Sequence, residues 1–163
     1  MTGRTGHPRG QGLTEFALVV PVFLLLALAL VDFARGIYVY SVISDAAREG
    51  ARYAMVHGSQ SAADNPPASG PGTGDSDGSL YVVPKTRELA FGLDSSALDV
   101  GVCWGYSCTV PPDCSIGSNT AVNPVSNVPV TVRTCYDFQP ITGSFLRLGP
   151  VRLGATATLT ITH

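Results

Sequence analysis

The sequence predicts an α+β fold: a long N-terminal transmembrane helix followed by a small domain with a short helix and a three-stranded antiparallel sheet. Three observations support this. An uncharged apolar run extends from Phe16 to Val31, and a helical pattern continues from it without proline to His57. Three later segments alternate apolar and polar residues with a period of two, which is typical of half-buried strands. A chain of 163 residues has room for one anchor and one modest domain.

Composition narrows the functional classes. Only 13% of the residues are charged, and the mean hydropathy is +0.23, which is apolar for a soluble domain of this size. The formal net charge is −2, and the sequence contains no cluster of lysine and arginine. Nucleic-acid binding is therefore not expected, because it depends on basic side chains that neutralise phosphates.

The apolar run is the predicted membrane anchor. Phe16 to Val31 gives roughly 16 residues, or about 24 Å of helix, and flanking residues bring it to the roughly 20 that a bilayer requires. Arg4 and Arg9 precede the run, so the positive-inside rule puts the N-terminus in the cytoplasm and exports everything after Asp32. Phe33, Tyr38 and Tyr40 would then lie near the outer membrane interface, where aromatic rings are favoured.

A cleavable secretory signal is the alternative interpretation of the same run. Its basic start, apolar centre and the small residues Ala27 and Ala29 fit a signal-peptidase site. The helical pattern does not stop there, however, and Gly58 is the first plausible helix end. We therefore expect an anchor that runs directly into a second helical half.

The start of the chain resembles a known family. A short leader, Gly10, four residues, Glu15 and Phe16 resemble the processing site of type IV pilin precursors. The longer string GQGLTEFALVVPVFLLLALALVDFARGIYVYSVISDAAREGARYA resembles the TadE-like pseudopilins of tight-adherence (Flp-type) pilus systems. The resemblance covers about the first third of the chain and does not reach the cysteine-bearing part.

The resemblance implies a membrane-bound minor pilin with a structural role in pilus assembly, and through it in adhesion. A prepilin peptidase would cut between Gly10 and Gln11, so that Glu15 becomes the fifth residue of the mature chain. Other implied partners are membrane lipid, a sister pseudopilin, the major Flp pilin and the inner-membrane assembly platform. The protein would cross the inner membrane once, with its C-terminal domain outside.

Glu15 is costly at the edge of an apolar segment, so it requires an explanation. In pilin-type proteins this glutamate is thought to pair with the new N-terminal amine of a neighbouring subunit, and the resemblance implies the same docking role here, with Phe16 beside it. A compensating amine would make a carboxylate tolerable in a low-dielectric setting. The alternative is that Glu15 only stabilises the helix N-terminus through the helix dipole.

Small residues recur at every fourth position in the second helical half, at Ala46, Gly50 and Ala54. Such a stripe allows another helix to approach closely. The partner is either a helix of a neighbouring subunit or the chain's own C-terminal domain, and both contacts are compatible with the pattern.

The predicted domain organisation has four parts: a leader at 1–10, the anchor and assembly helix at 11–57, a Gly/Pro/Ser-rich linker at 58–79 and an exported domain at 80–163. The linker is too poor in apolar residues to bury much surface. A short helix is predicted between Leu80 and Leu93, with Pro84 near its start and Gly92 near its end.

The period-two alternation predicts which strand residues share the buried face. These are Leu98, Val100, Val102 and Trp104 in the first segment, Val128, Val130, Val132, Tyr136 and Phe138 in the second, and Val151, Leu153, Ala155, Ala157, Leu159 and Ile161 in the third.

The four cysteines are an even number in a domain expected outside the cytoplasm, which predicts two disulfides. Three pairings are possible. We favour Cys103 with Cys135 and Cys108 with Cys114, because the first two lie on the non-core faces of their strands. A four-cysteine zinc site is the less favoured alternative, since such sites usually include a close C-x2-C pair.

No catalytic motif accompanies these features. The three histidines lie in the leader, at a helix end and at the C-terminus, and no glycine-rich phosphate loop follows a strand. We therefore expect that the protein is not an enzyme and that it binds neither a cofactor nor a metal. The alternatives to a pilus subunit are a standalone membrane-anchored or secreted binding protein and an exported metal-binding module.

Overall fold

The computed structural model describes residues 11–57, 78–115, 127–147 and 149–161. The predicted leader at 1–10, including Gly10, lies outside the described residues, as does the linker apart from Gly78 and Ser79.

Three helices and three strands make up the described structure. In chain order they are α1 (Gln11–Val56), α2 (Val82–Leu89), β1 (Leu98–Trp104), β2 (Pro129–Phe138), α3 (Ile141–Leu146) and β3 (Val151–Thr160). The strands form one sheet in the order β1-β2-β3, and both neighbouring pairs are antiparallel. The predicted fold class is confirmed.

The buried face of the sheet is largely the one that the alternation predicts. Val100, Val102 and Trp104 of β1 are buried together with Val130 and Val132 of β2. The predicted residues of the third strand are less buried: Val151 is 50% exposed, and Leu153, Ala157 and Leu159 are only partly buried. The alternation therefore identifies the buried residues of β1 and β2 better than those of β3.

The second half of α1 packs on this face of the sheet, against β2 and β3. Its buried residues include Val39, Ile43, Ala47 and Ala51, all part of the same hydrophobic core as the strand valines. The hydroxyl of Thr134 on β2 donates a hydrogen bond of 2.9 Å to the carbonyl of Ile43 in this interface. We call α1 from Asp32 onward, together with α2, α3 and the sheet, the body.

The helix α2 lies against α1 and is shorter than predicted, covering Val82–Leu89 rather than 80–93. Pro84 falls in its first turn, where a missing amide hydrogen costs nothing. The chain leaves the helix before Gly92, whose φ of +81° is a left-handed conformation that glycine adopts without strain.

The favoured disulfide pairing is wrong. Cys103 is bonded to Cys108 and Cys114 to Cys135, with Cα atoms 5.9 Å apart in each pair. The reason is register: Cys103 lies opposite Thr131 and Cys135 lies opposite Asp99, so the two cysteines share a face but stand four positions apart along the sheet. At about 3.3 Å per residue, that separation is far too long for one bridge.

The disulfides hold a loop, residues 105–115, over the face of the sheet opposite α1. Val110 and Cys114 of this loop are buried, and so is Cys103 beneath it. Gly101 explains the close approach, because a Cβ there would lie 2.9 Å from the Ser115 carbonyl oxygen and 3.0 Å from that of Cys114. As a result, β1 is buried on both faces except at Asp99.

Candidate membrane and assembly site

The first half of α1 projects from the body. No side chain described between Gly12 and Val31 is buried, and Phe16, for example, is 69% exposed. The projection is roughly 20 residues, or about 30 Å, which matches the hydrocarbon thickness of a bilayer. Within the described residues, one helix is long and apolar enough to span a membrane, as judged by length and composition.

Glu15 and Phe16 lie near the N-terminal end of this projection. The helix begins at Gln11, so Glu15 falls in its second turn, and both side chains are exposed. The predicted cleavage bond follows Gly10, which is outside the described residues. The docking role of Glu15 stays a prediction.

Asp32 is only 6% exposed and marks the point where the projection enters the body. Its Oδ2 accepts hydrogen bonds from the amide (2.7 Å) and the hydroxyl (2.6 Å) of Thr142, and its Oδ1 accepts one from the amide of Ile141 (2.9 Å). These are the first residues of α3, whose N-cap residue, Pro140, has no side-chain donor or acceptor. Asp32 therefore caps α3 from a distant part of the chain.

Arg35 also connects α1 to the sheet at this point. Its Nη1 lies 3.4 Å from Oδ1 of Asp32, and its guanidinium carbon lies 5.4 Å from the ring centroid of Phe138, at the end of β2. The arginine thus bridges the helix and the sheet with one ion pair and one cation–π contact. We call Asp32, Arg35, Phe138, Ile141 and Thr142 the junction.

The sequence does not predict a role for the residues of the junction. Asp32 lies within the string that resembles the TadE-like family, but the sequence indicates no partner for it. A signal was available: Asp32 is a lone acid at the end of an apolar run, and a buried carboxylate requires hydrogen-bond donors. The sequence does not reveal that those donors lie more than 100 residues later.

The stripe of small residues lies inside the body. Ala46 and Ala54 are 1% and 0% exposed, and Gly50 is buried against α2. A Cβ on Gly50 would clash with the hydroxyl of Thr86 and lie 3.2 Å from two of its carbon atoms. Of the two partners that the pattern allowed, Gly50 meets the chain's own α2, and a packing role toward a neighbouring subunit stays a prediction.

An exposed polar cluster ties the disulfide loop to the sheet. Nη2 of Arg152 donates to Oδ2 of Asp99 (2.6 Å) and to the carbonyl of Asp113 (2.7 Å). The amide and hydroxyl of Ser115 donate to the carboxylate of Asp113 and hold its pKa below the usual range. These groups pair with one another in a solvent-exposed position, which indicates a structural contact between the loop and the sheet.

The described part of the chain gives no support for a metal site. No group of three or more His, Cys, Asp or Glu side chains there is arranged to hold an ion. The four cysteines that a zinc site would need are all consumed by the two disulfides.

Comparison with known protein families gives a match in the N-terminal part of the chain. Residues 10–52 match the family described as TadE-like protein, about a quarter of the chain. Searches of curated proteins and of solved structures returned no match. The matched segment runs from the residue before α1 through the projection, the aspartate of the junction and most of the half that packs in the body.

Proposed function

We propose that this chain, whose N-terminal helix is that of a TadE-like protein, is a minor pilin or pseudopilin of a tight-adherence pilus. The family match suggests involvement in such pilus systems, whose TadE-like members are generally structural rather than enzymatic. The observation that carries the proposal is the exposed apolar projection, which begins at Gln11, one residue after the start of the family match.

In this proposal the projection is first a membrane anchor and later an assembly element. Prepilin peptidase hydrolyses the bond between Gly10 and Gln11, leaving a carboxylate on Gly10 and a free amine on Gln11. The exported body stays attached to the inner membrane through α1, with the N-terminus on the cytoplasmic side. Its partners would be the sister pseudopilin, the major Flp pilin and the assembly platform, and its contribution to adhesion would come through the pilus.

Glu15 supplies the docking group. An exposed carboxylate one turn into the helix can reach the amine of an adjacent subunit when two projections lie side by side in an apolar environment. Pairing brings a compensating positive charge next to the carboxylate, so correctly aligned subunits are favoured over misaligned ones. Glu15 then determines how neighbouring subunits are aligned along their helices in the assembly.

The first test is the N-terminus of the protein purified from its host's membrane fraction, by intact mass and terminal sequencing. A chain that begins at Gln11 supports prepilin-type processing. A start near Leu30 would identify an ordinary secretory signal, and an uncut Met1 would leave a standalone anchored protein without the amine that Glu15 needs.

A second test separates docking from anchoring. We expect Glu15→Gln to leave the protein in the membrane and to abolish or greatly reduce surface pili, counted by electron microscopy. Glu49→Gln is the matched control, because Glu49 is an exposed carboxylate on the same helix, paired with Arg52 at 3.5 Å. Normal piliation in Glu15→Gln would rule out the docking role.

A further inference from the structure

An apolar groove lies next to the body end of the projection, between α1 and β3. Phe33, Ile37 and Tyr40 of α1 form one wall, Val151 and Leu153 of β3 form the other, and the volume is about 480 Å³. Phe33, Ile37, Tyr40 and Val151 are each at least half exposed. A groove with so much uncovered apolar surface indicates contact with something other than water.

The groove continues the surface of the projection. Phe33, Ile37 and Tyr40 follow Leu26 and Leu30 at spacings of three and four residues, so all five side chains lie along one face of α1. Asp32 also lines the groove, but its carboxylate and the guanidinium of Arg35 are both engaged within the junction. Asp32 is turned toward α3 and Arg35 toward the ring of Phe138.

The length of the apolar run fixes the depth of the groove. The uncharged run spans about 24 Å, whereas the hydrocarbon core is about 30 Å thick. Counting about 20 residues from Phe16 reaches Arg35, and the polar interfacial layer extends roughly 5–8 Å further, to about Tyr40. Val151 and Leu153 share the groove with these residues and are therefore held at the same depth.

We propose that this groove is seated in the outer interfacial layer of the lipid bilayer, so that the body rests on the membrane through β3 as well as through α1. The proposal rests on the membrane anchor of the proposed function. Lipid fits the groove because aliphatic side chains and a tyrosine with a polar tip suit the level where acyl chains meet headgroups. The contact also compensates for the short apolar run, because it adds apolar surface where the run ends.

The test places single tryptophans at chosen depths in the full chain, reconstituted in phosphatidylcholine–phosphatidylglycerol vesicles that carry bromine atoms near the top of the acyl chains. The reporters are Val151→Trp and Leu153→Trp in the groove wall, with Leu30→Trp in the projection. The matched controls are Thr160→Trp, exposed at the far end of β3, and Val56→Trp, exposed at the far end of α1. The native Trp104 is fully buried and gives a constant background and a check of folding.

We expect bromolipid to quench the two groove reporters and Leu30→Trp at least twofold more strongly than either control. Quenching of Leu30→Trp with the groove reporters at control level would overturn the inference and leave the anchor intact. Groove reporters shielded from both bromolipid and aqueous acrylamide would overturn it in favour of a protein partner, such as a second copy of the chain. Absence of quenching at Leu30→Trp would overturn the inference and the membrane anchor together.

Discussion

The carboxylate of Asp32 accepts hydrogen bonds from both the amide and the hydroxyl of Thr142, which lies 110 positions later in the chain. Through this contact the residue that follows the apolar run also caps the N-terminus of α3. Since both bonds involve a carboxylate in a buried position, they are among the stronger polar contacts of the body.

We expect Asp32→Ala to lower the free energy of unfolding of the full chain in detergent by about 3 kcal/mol, because three donors lose a charged acceptor. Thr142→Val removes only the hydroxyl and should cost about 1 kcal/mol. Urea titration followed by the fluorescence of buried Trp104 measures both. Asp45→Ala is the control, because its ion pair with Arg48 is exposed; a loss at Asp32 no larger than the loss at Asp45 would contradict the junction.

Thr134→Val should destabilise the body by about 1 kcal/mol, because it deletes the buried hydrogen bond to the Ile43 carbonyl while keeping the side-chain shape. Thr158→Val is the matched control on the neighbouring strand, since its hydroxyl meets that of Thr131 in an exposed position. The same urea titration should show a change of less than about 0.5 kcal/mol for the control. Equal effects would mean that the Thr134 bond adds nothing to stability.

Gly50→Ala should destabilise the body by about 1–3 kcal/mol, because the added methyl group overlaps Thr86 between two packed helices. The double variant Gly50→Ala, Thr86→Ala should recover part of this loss, since it removes the hydroxyl that causes the clash. Gly36→Ala is the control on the same helix, where the nearest atom to a new Cβ is 3.9 Å away; it should be neutral or stabilising by up to about 1 kcal/mol. A neutral Gly50→Ala would show that α1 and α2 are not so closely packed.

Non-reducing digestion with chymotrypsin and Asp-N should release peptides that join Cys103 to Cys108 and Cys114 to Cys135. Cleavage after Tyr106 and before Asp113 separates the cysteines that must be distinguished. The double variant Cys114→Ser, Cys135→Ser should lose about 3 kcal/mol of stability, because that bridge closes a loop of 21 residues. A peptide joining Cys103 to Cys135 would contradict the observed pairing.

The features that follow from local pattern were predictable. Alternation identified Val100, Val102 and Val130 as buried, because a strand with one covered face must repeat every two residues. The long helix followed from an uninterrupted apolar and alanine-rich stretch. Each of these depends only on neighbours in sequence.

The features that were missed depend on contacts between distant residues. Alternation gives the face of Cys103 and Cys135 but not their register, so the pairing was wrong. The six-residue α3 has no capping side chain of its own, because Asp32 supplies the cap. The stripe at Ala46, Gly50 and Ala54 indicates close packing without indicating which helix it meets.

One continuous helix, α1, forms the projection with its first half and part of the core with its second half. A change in the angle of the projection therefore moves the whole body. From Asp32 to Val56 it runs about 36 Å through the body with the sheet fixed along its side. A tilt of about 20°, ordinary for a membrane helix, displaces its far end sideways by about 12 Å. The angle at which the anchor crosses the bilayer therefore determines where the body is presented to the next subunit.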